Sequence, residues 1–172
     1  MSQPQDPVRV VEIGIAPGSR LPVKRVHEVE AEAGVGLVGD RYHGSRHRHV
    51  TLQSRTDLDA AAADLGRPVT AAGTRRNLTV SHGPVPTRPG TLLRVGEVEL
   101  QVVRLAAPCR LLDDWLGPGA MAALHGRGGT VCRLLGSGTI RVGDELWVGE
   151  VAPAPVRGDA PQGPGRTRPG DR

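Results

Sequence analysis

The stretch PGTLLRVGEVELQVVRL, Pro89–Leu105, carries the pattern on which the rest of this 172-residue chain can be read. Two runs of Leu, Val and Thr flank Val95-Gly96-Glu97, and apolar residues alternate with polar ones around the junction. A period of two marks strands with one buried face. A glycine at the junction admits the positive φ that a tight hairpin needs. GSGTIRVGDELWV, Gly136–Val148, repeats the arrangement around Gly143. Both glycines are expected to open hairpins of the kind any small barrel uses, with no need for internal duplication.

Similar runs occur along most of the chain: Val8–Ile15, Arg25–Ala31, His49–Gln53, Asn77–Ser81, Thr130–Leu135, Thr139–Val142 and Glu145–Glu150. Gly, Pro or Asp punctuates most joins. Helix is scarce. SRTDLDAAAADLG opens with a capping Ser54, has Asp57 three residues on, and stops at Gly66. A second helix is expected to begin near Pro108 and end at Gly117-Pro118, with a turn through Met121–Leu124 after it. The expected fold is mainly β, a closed or nearly closed β-barrel with two or three short helices. The barrel domain is placed at residues 8–150. Residues 1–7 and the Pro/Gly/Arg-rich residues 151–172 are expected to be disordered, and deleting the latter should leave stability nearly unchanged.

Composition narrows the function. The net charge is +4, but four arginines against two aspartates from Val151 onward supply half of it. Aromatics are limited to Tyr42, Trp115 and Trp147, too few for a groove that stacks successive bases. An arginine barrel that binds RNA therefore ranks last, and no nucleic-acid partner is expected. No apolar run approaches the ~20 residues of a membrane helix, and MSQPQDP lacks the apolar core of a signal peptide. Two cysteines fit a reducing cytoplasm and cannot supply the four thiolates of an iron–sulfur cluster.

Four stretches could carry chemistry. In RLAAPCRLLDDW, Cys109 follows Pro108, a residue favoured at the first helical position. Placed in that first turn, the thiolate would be stabilised by the helix dipole and by Arg110, with Asp113 and Asp114 opposing. An inert core cysteine is the alternative, and it is the reading preferred for Cys132, flanked by apolar residues. GLVGDRYHGSRHRHV, Gly36–Val50, gathers three arginines and three histidines. Its spacing matches no zinc motif, and its arginines suit an anion, although a solvated basic loop stays open. GTRRNLTV, Gly73–Val80, brings two more arginines and an amide to a strand. HGRGGT, His125–Thr130, is glycine-rich without the Lys-Ser/Thr of a P-loop.

Taken in order from Val8 to about Val148, these pieces resemble the MOSC domain, named for the C-terminal domain of molybdenum cofactor sulfurases. Gly36-Leu37-Val38-Gly39-Asp40-Arg41, followed by His43-Gly44, looks like the family's GL-x-GDR segment. Arg48-His49-Val50-Thr51-Leu52 is similar to its R-x-V-T-L strand, and Arg76-Asn77-Leu78 to its x-N-L/I strand start. The two glycine junctions match its paired hairpins, and Pro108-Cys109 falls at its characteristic cysteine, with Gly126-Arg127-Gly128-Gly129 beyond. His49 stands where Gln is more usual, and Arg76 where Glu is common.

The resemblance implies a barrel that binds the molybdenum cofactor, with Cys109 as thiolate ligand to the metal. Arg41, His43, Arg48, Arg76, Asn77 and Arg127 then become candidates for holding the pterin and its phosphate. No pyridoxal phosphate is expected, since Lys24 is the sole lysine and sits in no matching motif. The first expectation is a cytoplasmic reductase of small N-hydroxylated compounds, supplied with electrons by an external donor protein. The second is a non-catalytic carrier of the cofactor, or of sulfur as a persulfide on Cys109. No membrane partner is expected in either case.

Overall fold

The computed structural model describes residues 5–151. Within them the elements run β1 (Val10–Ile15), β2 (Lys24–Val26), β3 (Glu28–Glu32), β4 (Gly36–Leu37), β5 (Val50–Ser54), α1 (Arg55–Leu65), α2 (Ala71–Thr74) and β6 (Leu78–Val80). They continue with β7 (Thr91–Val95), β8 (Val98–Leu105), α3 (Leu111–Leu116), α4 (Ala120–Ala123), β9 (Thr130–Leu134), β10 (Gly138–Arg141) and β11 (Leu146–Val151). The residue 5–7 segment has no regular structure. The expected disorder of residues 1–4 and 152–172 lies outside the described residues.

One eight-stranded sheet, in the order β11-β7-β8-β9-β5-β6-β1-β2, curls through 206° into a nearly closed barrel. At its seam the start of β1 meets the turn before β11: Val10 N donates to Asp144 O at 2.9 Å, and Leu146 N to Val8 O at 2.8 Å. A three-stranded sheet, β10-β3-β4, covers one side. The neighbours pair antiparallel except β5 and β6, which run parallel. Parallel neighbours need a crossover, and the segment holding α1 and α2 supplies it.

The alternating strands bury one face. Ile13, Leu52, Leu78, Leu100, Leu134 and Ile140 fill the barrel together with Cys132. A second apolar cluster, built on Leu58, Ala61, Val69, Leu112, Ala120 and Leu124, packs the four helices together. α1 starts and stops as its sequence requires. Ser54 Oγ accepts the Thr56 amide at 3.2 Å, and Gly66, at φ 68°, returns its amide to Ala62 O.

Three expectations change. The Gly96 junction does form the β7–β8 hairpin, but Gly143 opens no hairpin. β10 pairs with β3 and β11 with β7, so that turn passes the chain from the small sheet to the barrel. Identical local patterns reach different partners because register is set by which face finds the core. The second helix begins at Leu111, after Arg110, and Cys109 precedes it instead of occupying its first turn. Its carbonyl accepts the Leu112 amide at 2.9 Å. Finally, the described residues hold four helices, because α2 and the turn expected near Met121 each close one four-residue helix.

Candidate functional site

The stretch between α2 and β6 builds one wall of the site. Arg75 caps α2 in the left-handed region, at φ 59°, a conformation costing a non-glycine residue about 1 kcal/mol or more. Its guanidinium is tied down on both sides: it donates to Leu21 O and Gly18 O, and lies 4.9 Å from the ring of Trp115 in α3. Arg76 is only 9% exposed. Its Nε donates to Gly128 O at 3.1 Å, and Nη2 to Ala107 O at 3.2 Å. It therefore joins the glycine loop to the turn that presents Cys109.

The second wall is the loop before β5. The guanidinium carbons of Arg41 and Arg48 lie 4.6 and 4.1 Å from the centre of the Tyr42 ring, within cation–π range. Arg48 Nε is buried and, among the described residues, has no hydrogen-bond partner. Burial lowers the pKa of Arg48, Arg75 and Arg76, and the charges of neighbouring arginines lower each further. Arg76, most affected, falls to about 10 and stays charged at neutral pH. Among the described residues none of Arg41, Arg48, Arg75, Arg76 and Arg104 forms an ion pair. Asp40 is the nearby acid, but its carboxylate accepts the amides of Ala16 and Tyr42 and the Asn77 side chain.

Cys109 is exposed, and it is an electrostatic neighbour of both Arg75 and Arg76. Cys132 is its opposite, sealed in β9, with burial pushing its thiol up to about 12. Two glycines set the backbone behind this arrangement. A Cβ on Gly128 would meet Ala106 O at 2.3 Å, and one on Gly129 would meet Leu52 O at 2.0 Å. These glycines let chain segments approach each other, which is a different use from the phosphate cradle considered from sequence. Among the described residues no three His, Cys, Asp or Glu side chains gather as a metal cluster. What the site offers is a thiol beside cationic groups that lack anions, a donor set that fits a metal-bearing, phosphorylated cofactor.

The sequence pattern of the MOSC domain matches residues 39–147, more than half of the chain. This chain belongs to the MOSC domain family. The family is associated with the molybdenum cofactor. Solved structures with the same fold include the YuaD protein of Bacillus subtilis, 18% identical with a TM-score of 0.71, matching 81% of this chain and 93% of that one. YiiM of Geobacillus stearothermophilus is 22% identical with a TM-score of 0.68, over 84% of this chain and 76% of its own. YiiM of Escherichia coli is 18% identical with a TM-score of 0.64, over 83% and 70%. A search of curated proteins finds no match. No helix among the described residues is long and apolar enough to cross a membrane.

The residues singled out from the MOSC resemblance separate into two groups. Cys109, Arg48, Arg76 and Arg41 are brought together. Asn77 lies beneath them, fully engaged: its side chain accepts Thr51 N and Oγ1 and donates to Gly14 O and Asp40. It braces the wall and has no atom left for a ligand. His43 turns to Glu32 at 2.8 Å, and Arg127 to Asp64 at 2.5 Å. Sequence reasoning passed over Tyr42, Arg75 and Arg104. The Arg75-Arg76 pair was visible as a cluster, but the burial of both side chains and the left-handed backbone at Arg75 were not.

Proposed function

We propose that this MOSC protein binds the molybdenum cofactor and reduces small N-hydroxylated compounds in the cytoplasm, drawing electrons from an external donor protein. The observation that carries the reading is the buried, unpartnered Nε of Arg48 among arginines that lack carboxylates, beside an exposed thiol. Asp40 offsets part of the charge of Arg48 and Arg75 without pairing with either, and the Nε of Arg48 is left without an acceptor, so the cluster is more stable with an anion in place.

Cys109 would hold the metal through its thiolate, and Arg48, Arg76, Arg75 and Arg41 would hold the phosphate and pterin. When bound, the cofactor supplies the two-electron chemistry that removal of a hydroxyl oxygen requires. The overall change is R–NHOH plus two electrons and two protons giving R–NH2 and water. The protein's share is to fix the thiol and to concentrate positive charge. Arg76 does both, since it grips the carbonyl of Ala107, two residues before Cys109.

Metal and pterin content, measured on protein made in a host that synthesises the cofactor, tests this. Near-stoichiometric molybdenum in the wild type, lost in Cys109→Ala, and turnover of a hydroxylamine with an artificial reductant are expected. Absence of molybdenum from both proteins, under conditions that load another MOSC protein, would overturn the reading. A persulfide on Cys109 would then identify a sulfur carrier.

A further inference from the structure

On the outer face of the barrel, β11, β7 and β8 border an open, mainly apolar groove of about 330 Å3, lined by Leu92, Glu99, Leu135, Trp147, Val148 and Gly149. Trp147 is 54% exposed there, and Leu135 and Val148 are exposed beside it. Apolar surface centred on a tryptophan is the composition of a contact hot spot. Gly149 supplies no side chain to fill the groove, and a Cβ there would stand 3.3 Å from Leu92 O. A strand glycine of this kind marks a place that another backbone can approach.

Two features bear on what covers the groove. Arg94 on β7 and Glu99 on β8 stand directly opposite each other, yet they do not pair. Arg94 lies over the Trp147 ring instead, 5.5 Å from its centre, and Glu99 has no ion pair among the described residues. The second feature is that the chain leaves β11 at the end of the groove itself. A bulge between Val148 and Val151 bends the strand there. Ala152-Pro153-Ala154-Pro155-Val156 follows, with Arg157 next. Alternating prolines favour the extended polyproline helix, and they remove N–H groups that an apolar surface would leave unpaired. Trp147 lies only about 13 Å back along β11 from Val151. Residues 152–157 span about 19 Å when extended, which leaves length for the reversal. Arg157 then comes within reach of the row of side chains that holds Trp147, Arg94 and Glu99.

We propose that residues 152–157 fold back on this groove, with residues 152–156 covering Trp147 and Gly149 and Arg157 pairing with Glu99. A weak contact is enough, because the tether keeps the segment at high effective concentration beside the groove. The expectation of disorder then narrows to the residues after Arg157.

Trp115 and Trp147 are the only tryptophans in the chain, so Trp115→Phe leaves the groove with a fluorescent reporter of its own. Acrylamide should quench Trp147 at least about twofold more weakly in the full chain than in a chain ending at Val151, because Arg94 covers one face of the ring and the segment covers the other. Arg157→Glu should raise quenching toward that of the shortened chain, and adding Glu99→Arg should restore the protection. Glu99 is exposed, so the exchange leaves the barrel core untouched. Equal quenching of the full and shortened chains, or an Arg157→Glu variant as protected as its parent, would overturn the proposal. So would protection that survives shortening and rises with protein concentration, with a dimer mass in light scattering, since a second copy would then occupy the groove.

Discussion

Arginines occupy two kinds of place in this molecule. Around the seam and the outer helices, Arg9, Arg55, Arg127 and Arg141 each face a carboxylate, on Glu145, Glu12, Asp64 and Glu28 respectively. Around Cys109, Arg41, Arg48, Arg75 and Arg76 form no ion pair among the described residues, although Asp40 lies near two of them. The first group is partly solvated and balanced, so its charges do little beyond the surface. The second is packed against rings and backbone carbonyls, with charges that repel one another. A fold retains such a cluster at a cost in stability. The difference separates structural arginines from those positioned for a ligand, although the residue type is the same.

The two cysteines repeat the contrast and give the largest expected effect. Cys109 is exposed and Cys132 is sealed in the barrel with its thiol pushed up to about 12. Alkylation of cofactor-free protein should modify Cys109 faster by at least about a hundredfold, because Cys132 must wait for the sheet to open. Mass spectrometry of a time course reads the ratio directly. Comparable rates would mean that the barrel opens readily, and would remove the distinction between the two sites.

For the arginines, phosphate is the simplest stand-in for the missing anion. At about a hundred times its Kd it should stabilise cofactor-free protein by about 2.7 kcal/mol, several degrees in a melting curve. Arg48→Met should abolish the gain, and without phosphate it should cost nothing or raise Tm, because a buried unpaired charge is gone. Arg127→Ala should keep the full phosphate response. Loss of the response in Arg127→Ala would break the division drawn here.

A third effect is set by His49, a buried residue that ties the arginine loop to the barrel. Its Nε2 donates to Ser45 O at 3.0 Å, and its Nδ1 accepts the Leu134 amide at 2.9 Å. Protonation would place two donors face to face. Burial first, and then Arg133 and His47, hold its pKa below the ordinary value near 6.5. The neutral form is favoured on folding, so this stability is present above about pH 6.5 and is lost as pH falls through the lower folded value. His49→Gln can still accept the Leu134 amide and should flatten Tm between pH 7 and pH 5 relative to wild type. An unchanged pH profile would place the acid sensitivity elsewhere.

Sequence patterns revealed the barrel because alternation is local, and α1 because its cap and stop are encoded at Ser54 and Gly66. Strand partners were less legible. Gly96 and Gly143 sit in nearly the same pattern, yet only one closes a hairpin, since partner choice depends on residues far away in the chain. The site shows the same limit. Cys109, Arg48 and Arg76 stand out in sequence, and the fold does gather them. Arg75 is held by Leu21 O, Gly18 O and the Trp115 ring, partners far away in the chain, and Arg127 and His43 are drawn away by Asp64 and Glu32, acids that no local motif announces.

The smallest effect is the most exacting check on the contrast. Arg127 Nη1 meets Asp64 Oδ2 at 2.5 Å and also donates to Ala123 O at 3.2 Å, with 32% of the arginine side chain and 61% of the aspartate exposed. An ion pair so well hydrated is worth about 0.2–1 kcal/mol. A double-mutant cycle of Arg127→Ala and Asp64→Ala, followed by denaturant unfolding, should return a coupling in that interval, shrinking as salt is added. A salt-insensitive coupling above it would show that this pair is shielded like the arginines around Cys109. The paired and unpaired arginines would then differ in their partners and no longer in how tightly the fold holds them, and the inference from burial to a missing anion would rest on Arg48 alone.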